Sequence, residues 1–147
     1  MSENHWVWQS DHVIPSETGA GSPILQEVLE QLEKHEWIQH DIFSIHLALE
    51  EALVNAIRHG NRLDQNKQVR VACRMSPDLI RIKIIDEGEG FDPSAIPDPT
   101  DPDNIEAPSG RGIMLMRNFM SRVEYNDAGN QVVMEKERGK KDAKKED

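Results

Sequence analysis

Hydrophobic and polar positions along the chain follow the periods of strands and helices. Residues 5–14 carry the first apolar pattern, which predicts a strand that ends at Pro15 and Ser16. Aliphatic residues then recur at helical spacing, which predicts a helix capped by Ser22 with Pro23 at its first position. The apolar positions of this helix are Ile24, Leu25, Val28, Leu29 and Leu32.

A second, longer helix is predicted after a short polar break at residues 35–40. Its apolar positions follow one another at steps of four, three, one and three residues, which is the spacing of one helix face. Gly60 is the expected end of this helix. The apolar stripe comprises Ile45, Leu49, Ala52, Leu53 and Ala56.

The second half of the chain predicts two strand pairs separated by a polar segment and a helix. Val69–Met75 and Leu79–Ile85 form the first pair, and Val123–Tyr125 and Gln131–Glu135 form the second. Residues 86–110 hold five of the eight prolines, and loops of that length are usually functional or disordered. The helix that follows has five residues in register, namely Ile113, Met114, Met116, Arg117 and Met120.

The predicted order is β-α-α-β-β-loop-α-β-β, so helices do not alternate regularly with strands. This order favours an α+β fold, a two-layer α/β sandwich with a mixed, mostly antiparallel sheet and helices on one face. We expect one domain over residues 1–137, followed by a charged, disordered tail over residues 138–147.

Composition and charge narrow the classes of function. The 147 residues carry 27 acids and 17 bases, a net charge of −10 that argues against direct nucleic-acid binding. No apolar run approaches the roughly 18 residues of a membrane helix, and MSENHWVWQSDH lacks the features of a secretory signal. The single cysteine, Cys73, excludes an internal disulfide, and a reducing cytoplasm is the expected compartment.

Glu51 and Asn55 stand four residues apart on the second predicted helix, so both project from one face. The amide oxygen can ligate a hard cation such as Mg²⁺, and the carboxylate can orient or deprotonate a nucleophile. For so short a pattern, a solvated helix face is the alternative interpretation.

Two glycine-containing segments add further candidate chemistry. Asp86 ends an apolar strand and precedes Gly88 and Gly90, so the backbone can approach a flat ligand while the carboxylate accepts a hydrogen bond from an exocyclic amine. An ordinary acidic turn is the alternative. The segment 110–112 (Gly-Arg-Gly) opens a helix, where free N–H groups favour an anion despite the negative net charge. A plain helix start is the alternative there.

In this order the motifs resemble the GHKL ATP-binding superfamily, with its Bergerat fold, over about residues 5–137. LALEEALVNAIRHGN, IIDEGEGFDP and SGRGIMLMRNFMSRVEY are most similar to anti-sigma factor serine kinases of the RsbW and SpoIIAB type. The resemblance implies that ATP and Mg²⁺ are ligands. It also implies that the protein is an anti-sigma factor, which phosphorylates a STAS-type antagonist and sequesters a sigma factor.

The resemblance also implies a role for each motif. Asn55 would bind Mg²⁺, and Glu51 would be the catalytic base, with Glu50 as the competing carboxylate about 100° around the helix. Asp86 would contact adenine. The remaining members of the site would be glycines and one arginine, with Gly88 and Gly90 on the adenine side and Gly110, Arg111 and Gly112 near the phosphates.

Two departures from the family pattern leave alternatives open. Residues 129–131 (Gly-Asn-Gln) stand where the family has Gly-Thr, and three acids, Asp98, Asp101 and Asp103, are expected to face solvent or a partner. One alternative is an ATP-binding module that sequesters a partner without phosphorylating it. Another is a free-standing ATPase piece of a larger machine.

Tryptophans near the start suggest an interface. Trp6 and Trp8 alternate with Val7, so a strand would place both rings on one face. Such an aromatic pair predicts a homodimer contact through the first strand.

Overall fold

The computed structural model describes residues 5–88 and 110–139, with the backbone alone at Gly110 and Arg111. Most of the Pro-rich segment expected from the sequence, including Asp98, Asp101 and Asp103, lies outside the described residues. Of the charged tail expected over residues 138–147, residues 140–147 also lie outside the described residues, whereas Arg138 and Gly139 are described and hydrogen-bonded to the helical layer. No helix among the described residues is long and apolar enough to cross a membrane.

Five strands and three α-helices make up the described chain. The strands are β1 (Trp8–Pro15), β2 (Gln68–Met75), β3 (Leu79–Ile85), β4 (Arg122–Tyr125) and β5 (Gln131–Glu137). The helices are α1 (Ser22–Lys34), α2 (Gln39–Val54) and α3 (Gly110–Phe119), and α2 continues into a π-helical segment, Asn55–Gly60.

The strands form one sheet in the order β1-β2-β3-β5-β4. All four strand pairs are antiparallel, so the parallel component of the expected mixed sheet does not occur among the described strands. The α+β class with helices packed on one face is confirmed. Alternate residues of the three central strands supply the buried face, namely Val69, Val71, Cys73, Met75, Ile80, Ile82, Ile84, Val132 and Met134.

The helices cover this face with the residues that the periodicity selects. All five apolar positions expected on the second helix are buried, four of them on α2 and Ala56 in the π-helical segment. On α1, Ile24, Val28 and Leu32 are buried, while Leu25 and Leu29 are partly buried and pack against the core. On α3, Ile113 and Met116 are buried, and so is Met120 directly after the helix. Met114 is 62% exposed and Arg117 is exposed, so neither is part of the core.

The expected Ser22 cap is wrong by one residue. Gly21 is the N-cap of α1, and its carbonyl accepts hydrogen bonds from the N–H groups of Ile24 and Leu25. A Cβ at position 21 would lie 2.9 Å from a methyl carbon of Leu53 on α2. A side chain at position 21 would therefore displace Leu53 where α1 begins against α2.

The end of the second helix differs from a regular α-helix. From Asn55 to Gly60 the backbone widens into a π-helix, and the N–H of Asn61 bonds to the carbonyl of Ala56, five residues back, at 2.9 Å. Arg62 and Leu63 then adopt left-handed conformations with φ of 55° and 59°. Such π-helical turns occur frequently at functional sites.

The tryptophan pair does not form one exposed face. β1 begins at Trp8, after a bend at Val7, and Trp8 packs against the core. Trp6 precedes the bend and lies against Arg81, whose guanidinium carbon is 5.4 Å from the ring centroid. Arg81 alternates with buried neighbours in β3, so it belongs to the opposite face of the sheet.

Candidate nucleotide-binding site

Three elements bring most of the candidate residues together. They are the end of α2 with its π-helical continuation, the turn after β3, and the start of α3. Two close approaches join them, one between Gly60 and Asp86 and one between Glu51 and Gly112. Residues that are distant in sequence thereby line one region.

Glu51 lies against the first turn of α3. A Cβ at Gly112 would collide with the Glu51 carboxylate, so the glycine lets the carboxylate lie in this position. Burial raises the pKa of Glu51, which the positive charge of His59 partly opposes and the charge of Glu50 reinforces. Glu50 itself is exposed, and its Oε1 lies 3.8 Å from His46 Nε2.

Asn55 is the first residue of the π-helical segment and is only 6% exposed. Its side-chain oxygen and nitrogen are buried, and neither has a hydrogen-bond partner of standard geometry among the described residues. Buried carboxamides are normally paired, because leaving one unpaired costs about 1–3 kcal/mol. The side chain is therefore suited to a ligand, and its oxygen fits a hard cation such as Mg²⁺.

Asp86 follows β3 directly and is 8% exposed. Burial raises its pKa to about 6, although a hydrogen bond from the Gly88 N–H and the charge of Lys67 act in the opposite direction. The Gly88 N–H to Asp86 Oδ1 distance is 2.9 Å. One carboxylate oxygen is therefore engaged within the turn, and a ligand donor is needed to stabilise the ionised form further.

Glycines allow the turn to pack against the π-helical segment. A Cβ at Gly60 would lie 2.5 Å from the Asp86 carboxyl carbon, and a Cβ at Gly88 would collide with the Gly60 carbonyl oxygen. Neither position has room for a side chain. The backbone at Gly60 is therefore in direct contact with the backbone at Gly88.

Asn130 occupies the place where the family pattern has threonine. Its carbonyl accepts the Asp86 N–H at 2.9 Å, and its Nδ2 lies 3.5 Å from the Gly88 carbonyl. Gly129, with φ of 78°, makes the turn that brings it there. The sequence departure thus retains a contact with the turn that carries Asp86.

Two residues of this region were not selected by the sequence analysis. Tyr125 ends β4, and burial raises its pKa to about 12. A hydrogen-bond interaction with the Asn55 side chain, which falls short of standard geometry, opposes this rise, and the charge of Glu51 reinforces it. It therefore lies near both motif residues. Asn61, 1% exposed, bonds to the turn after β3. Both residues end family-like motifs, Asn61 the first and Tyr125 the last, but their roles depend on partners distant along the chain, which spacing alone does not indicate.

The remaining predicted members are described only in part. Gly90 lies outside the described residues. Gly110 and Arg111 open α3 as the sequence predicts, and the structure describes their backbone alone. With Gly112 they place the N-terminal end of a ten-residue helix beside Glu51, and such an end favours anions.

Comparison with known proteins identifies the family. Residues 14–136 match the family model for a histidine kinase-like ATPase domain. The chain is 33% identical over 106 residues to the anti-sigma F factor of Oceanobacillus iheyensis, a match that covers 68% of this chain and 72% of that protein. It is 28% identical over 99 residues to the serine-protein kinase RsbW of the same organism, covering 63% of each.

A solved structure gives the same fold. The structure of the RsbU and RsbW domains of a Mycobacterium tuberculosis protein matches 90% of this chain with a TM-score of 0.61 and 16% identity. The matched part is 32% of that longer chain. The family match spans most of the sequence, and the site residues lie within it. The chain therefore belongs to the histidine kinase-like ATPase domains, in the group of anti-sigma factor serine kinases of the RsbW type.

Proposed function

We propose that the protein is an ATP-dependent serine kinase and anti-sigma factor, which phosphorylates a STAS-type antagonist and sequesters a sigma factor. The names of its relatives support this role, since they include anti-sigma F factors and a serine-protein kinase RsbW. One observation of this chain carries the proposal. The buried Asn55 carboxamide, without a standard hydrogen-bond partner among the described residues, stands one helical turn from the half-buried Glu51.

Each residue has a specific task in this proposal. Asp86 accepts a hydrogen bond from the adenine amine, and the N–H groups at the start of α3 face the phosphates. Asn55 holds Mg²⁺ through its amide oxygen. When bound, the cation offsets charge on the phosphate oxygens.

Glu51 acts on the acceptor serine. It orients the hydroxyl and takes its proton as the serine oxygen forms a bond to the γ-phosphorus, while the bond from that phosphorus to the β-bridging oxygen breaks and ADP leaves. A carboxylate whose pKa is raised by burial is a stronger base than a solvated one.

Substitution of the base tests the catalytic claim. In Glu51→Gln the transfer of labelled γ-phosphate to a cognate STAS protein should fall at least about 100-fold, because general-base catalysis is lost. Magnesium-ATP binding should persist, since Asn55 and Asp86 remain. Glu50→Gln is the matched control and should keep wild-type transfer, because Glu50 faces solvent.

Other outcomes of this experiment would redirect the proposal. Transfer that is unchanged in Glu51→Gln removes Glu51 as the base. A wild-type protein that binds ATP and a partner but transfers no phosphate is instead a non-catalytic binding module. If Asn55→Ala leaves nucleotide affinity unaltered, the proposed site is wrong.

A homodimer and a cytoplasmic location complete the proposal. β1 is an edge strand of the sheet, so one side of its backbone is open to pairing with another strand. The exposed side chain of Val13, on the same strand, adds apolar surface. Sedimentation should give a dimer, and a monomer at micromolar concentration would reject this part of the proposal.

The cytoplasm is proposed because the single cysteine, Cys73, suits a reducing compartment.

A further inference from the structure

Asn61 is a buried polar residue between the π-helical segment and the sheet. It is 1% exposed, and its side chain makes three hydrogen bonds. Its Oδ1 accepts the Glu87 N–H at 2.7 Å, and its Nδ2 donates to the Ser16 hydroxyl at 2.8 Å and to the Gln68 carbonyl at 3.0 Å. One side chain therefore joins three segments that are far apart in sequence.

The turn after β3 is held by three successive N–H groups. The Asp86 N–H bonds to the Asn130 carbonyl, the Glu87 N–H to Asn61 Oδ1, and the Gly88 N–H to Asp86 Oδ1. The side chain of Glu87 is exposed and has no part in the core. The middle of the turn is thus fixed by the hydrogen bond to Asn61.

Small movements of this turn would displace the Asp86 carboxylate. The carboxylate is packed closely against Gly60, so it has little room to move. Adenine presents an amine at C6, which an ionised carboxylate accepts, whereas guanine presents a carbonyl oxygen there, which the carboxylate repels. Discrimination between the two bases therefore depends on where this carboxylate is held.

We propose that Asn61 is a positioning residue for base selection, which holds the Asp86 turn so that the site prefers adenine over guanine nucleotides. This inference rests on the proposed nucleotide-binding function. Asn61 does not touch the base itself. It acts through the Glu87 backbone, and its other two hydrogen bonds tie that backbone to the ends of β1 and β2.

Calorimetry with magnesium-ADP and magnesium-GDP tests the proposal. In Asn61→Ala the ratio of ADP to GDP affinity should fall about tenfold, because the turn loses its central hydrogen bond. Ser16→Ala is the matched control. It removes a hydrogen-bond partner at the opposite end of the same buried network but leaves the Glu87 bond, so it should lower the melting temperature while the ratio stays at the wild-type value.

A second measurement uses the wild-type chain alone. Because the Glu87 N–H is bonded to a buried side chain, its hydrogen exchange should be slow despite the exposed Glu87 side chain. Exchange at the rate of a free amide would overturn the proposal, as would an unchanged affinity ratio in Asn61→Ala. A wild-type protein that binds ADP without preferring it to GDP also overturns it. Binding of neither nucleotide would instead refute the proposed function on which it rests.

Discussion

Asp86 carries a carboxyl group into a place where ionisation costs free energy. Its pKa rises from 3.8 to about 6, chiefly through burial. The folded protein therefore binds this proton more tightly than the unfolded chain does. The resulting destabilisation is absent below about pH 4, grows between pH 4 and 6, and is fully present above the folded pKa.

Replacement of this carboxyl should stabilise the fold at the expense of binding. Asp86→Asn should raise the free energy of unfolding by about 1–3 kcal/mol at pH 8, with no gain at pH 4, because the amide never ionises. Its oxygen can still accept the Gly88 N–H. Urea unfolding at both pH values measures the difference, and calorimetry should show weakened adenine-nucleotide binding.

An exposed acid gives the control for this experiment. Asp78→Asn lies in the turn between β2 and β3, outside the site, and should change stability little at either pH. A stability gain in Asp86→Asn that is the same at pH 4 and pH 8 would contradict the ionisation argument.

At the scale of elements, the alternation of β2 and β3 predicted both strands to within one residue, because each strand buries one face and exposes the other. The π-helical segment had no such signal. Its residues keep the apolar spacing of an α-helix, with Ala56 buried as expected, while the hydrogen-bond pattern changes. Local periodicity cannot distinguish the two, since Ala56 is buried in the π-helical form as it would be in an α-helix.

The turn between β4 and β5 depends on one side chain. Asn126 Oδ1 accepts the N–H groups of Gly129, Asn130 and Gln131 at 2.9, 3.0 and 3.1 Å. Asn126→Ala should lower the free energy of unfolding by about 1–3 kcal/mol, because these donors lose a common acceptor. Chemical denaturation measures the loss.

The same turn offers a control substitution. Asp127→Ala changes an exposed neighbour and should alter stability by less than about 0.5 kcal/mol. Equal losses in the two variants would show that the turn does not depend on the Asn126 carboxamide. Because Asn130 also bonds to Asp86, Asn126→Ala should weaken nucleotide binding as well.

For the whole molecule, Arg138 connects the end of the sheet to the helical layer. Its guanidinium donates to the carbonyls of Pro77, His35 and Glu36 and lies 5.3 Å from the centre of the Trp37 ring. The next residue, Gly139, donates its N–H to the buried carboxylate of Asp41 at 2.7 Å. Residues 138 and 139 thus connect the end of β5, through hydrogen bonds, to the junction between α1 and α2.

Loss of the Arg138 contacts should lower the free energy of unfolding of the whole domain. Arg138→Ala should lower the free energy of unfolding by about 1–3 kcal/mol, since several carbonyls lose a charged donor. Glu137→Ala, an exposed neighbour, is the control and should unfold like the wild type. A wild-type denaturation curve for Arg138→Ala would show that the contacts are not stabilising.

The candidate site was predictable in part for a physical reason. Motifs that lie within one element, such as Glu51 and Asn55, are visible as spacing, and the order of the motifs indicates which elements meet. The contribution of Asn61 was not visible, because its partners at Ser16, Gln68 and Glu87 are joined only by folding. The contact of Asn130 with the turn that carries Asp86 likewise forms only on folding, because residues 86 and 130 are far apart in sequence.

The strand order has a consequence for how such proteins diverge. β3 and β5 are direct neighbours, although α3, β4 and residues 86–109 lie between them along the chain. This connection begins at one strand and ends at the adjacent one. Lengthening it therefore adds little loop-closure entropy and leaves the β3–β5 pairing in place. Proteins of this architecture can therefore differ in length between β3 and α3 while they keep the same five-stranded sheet.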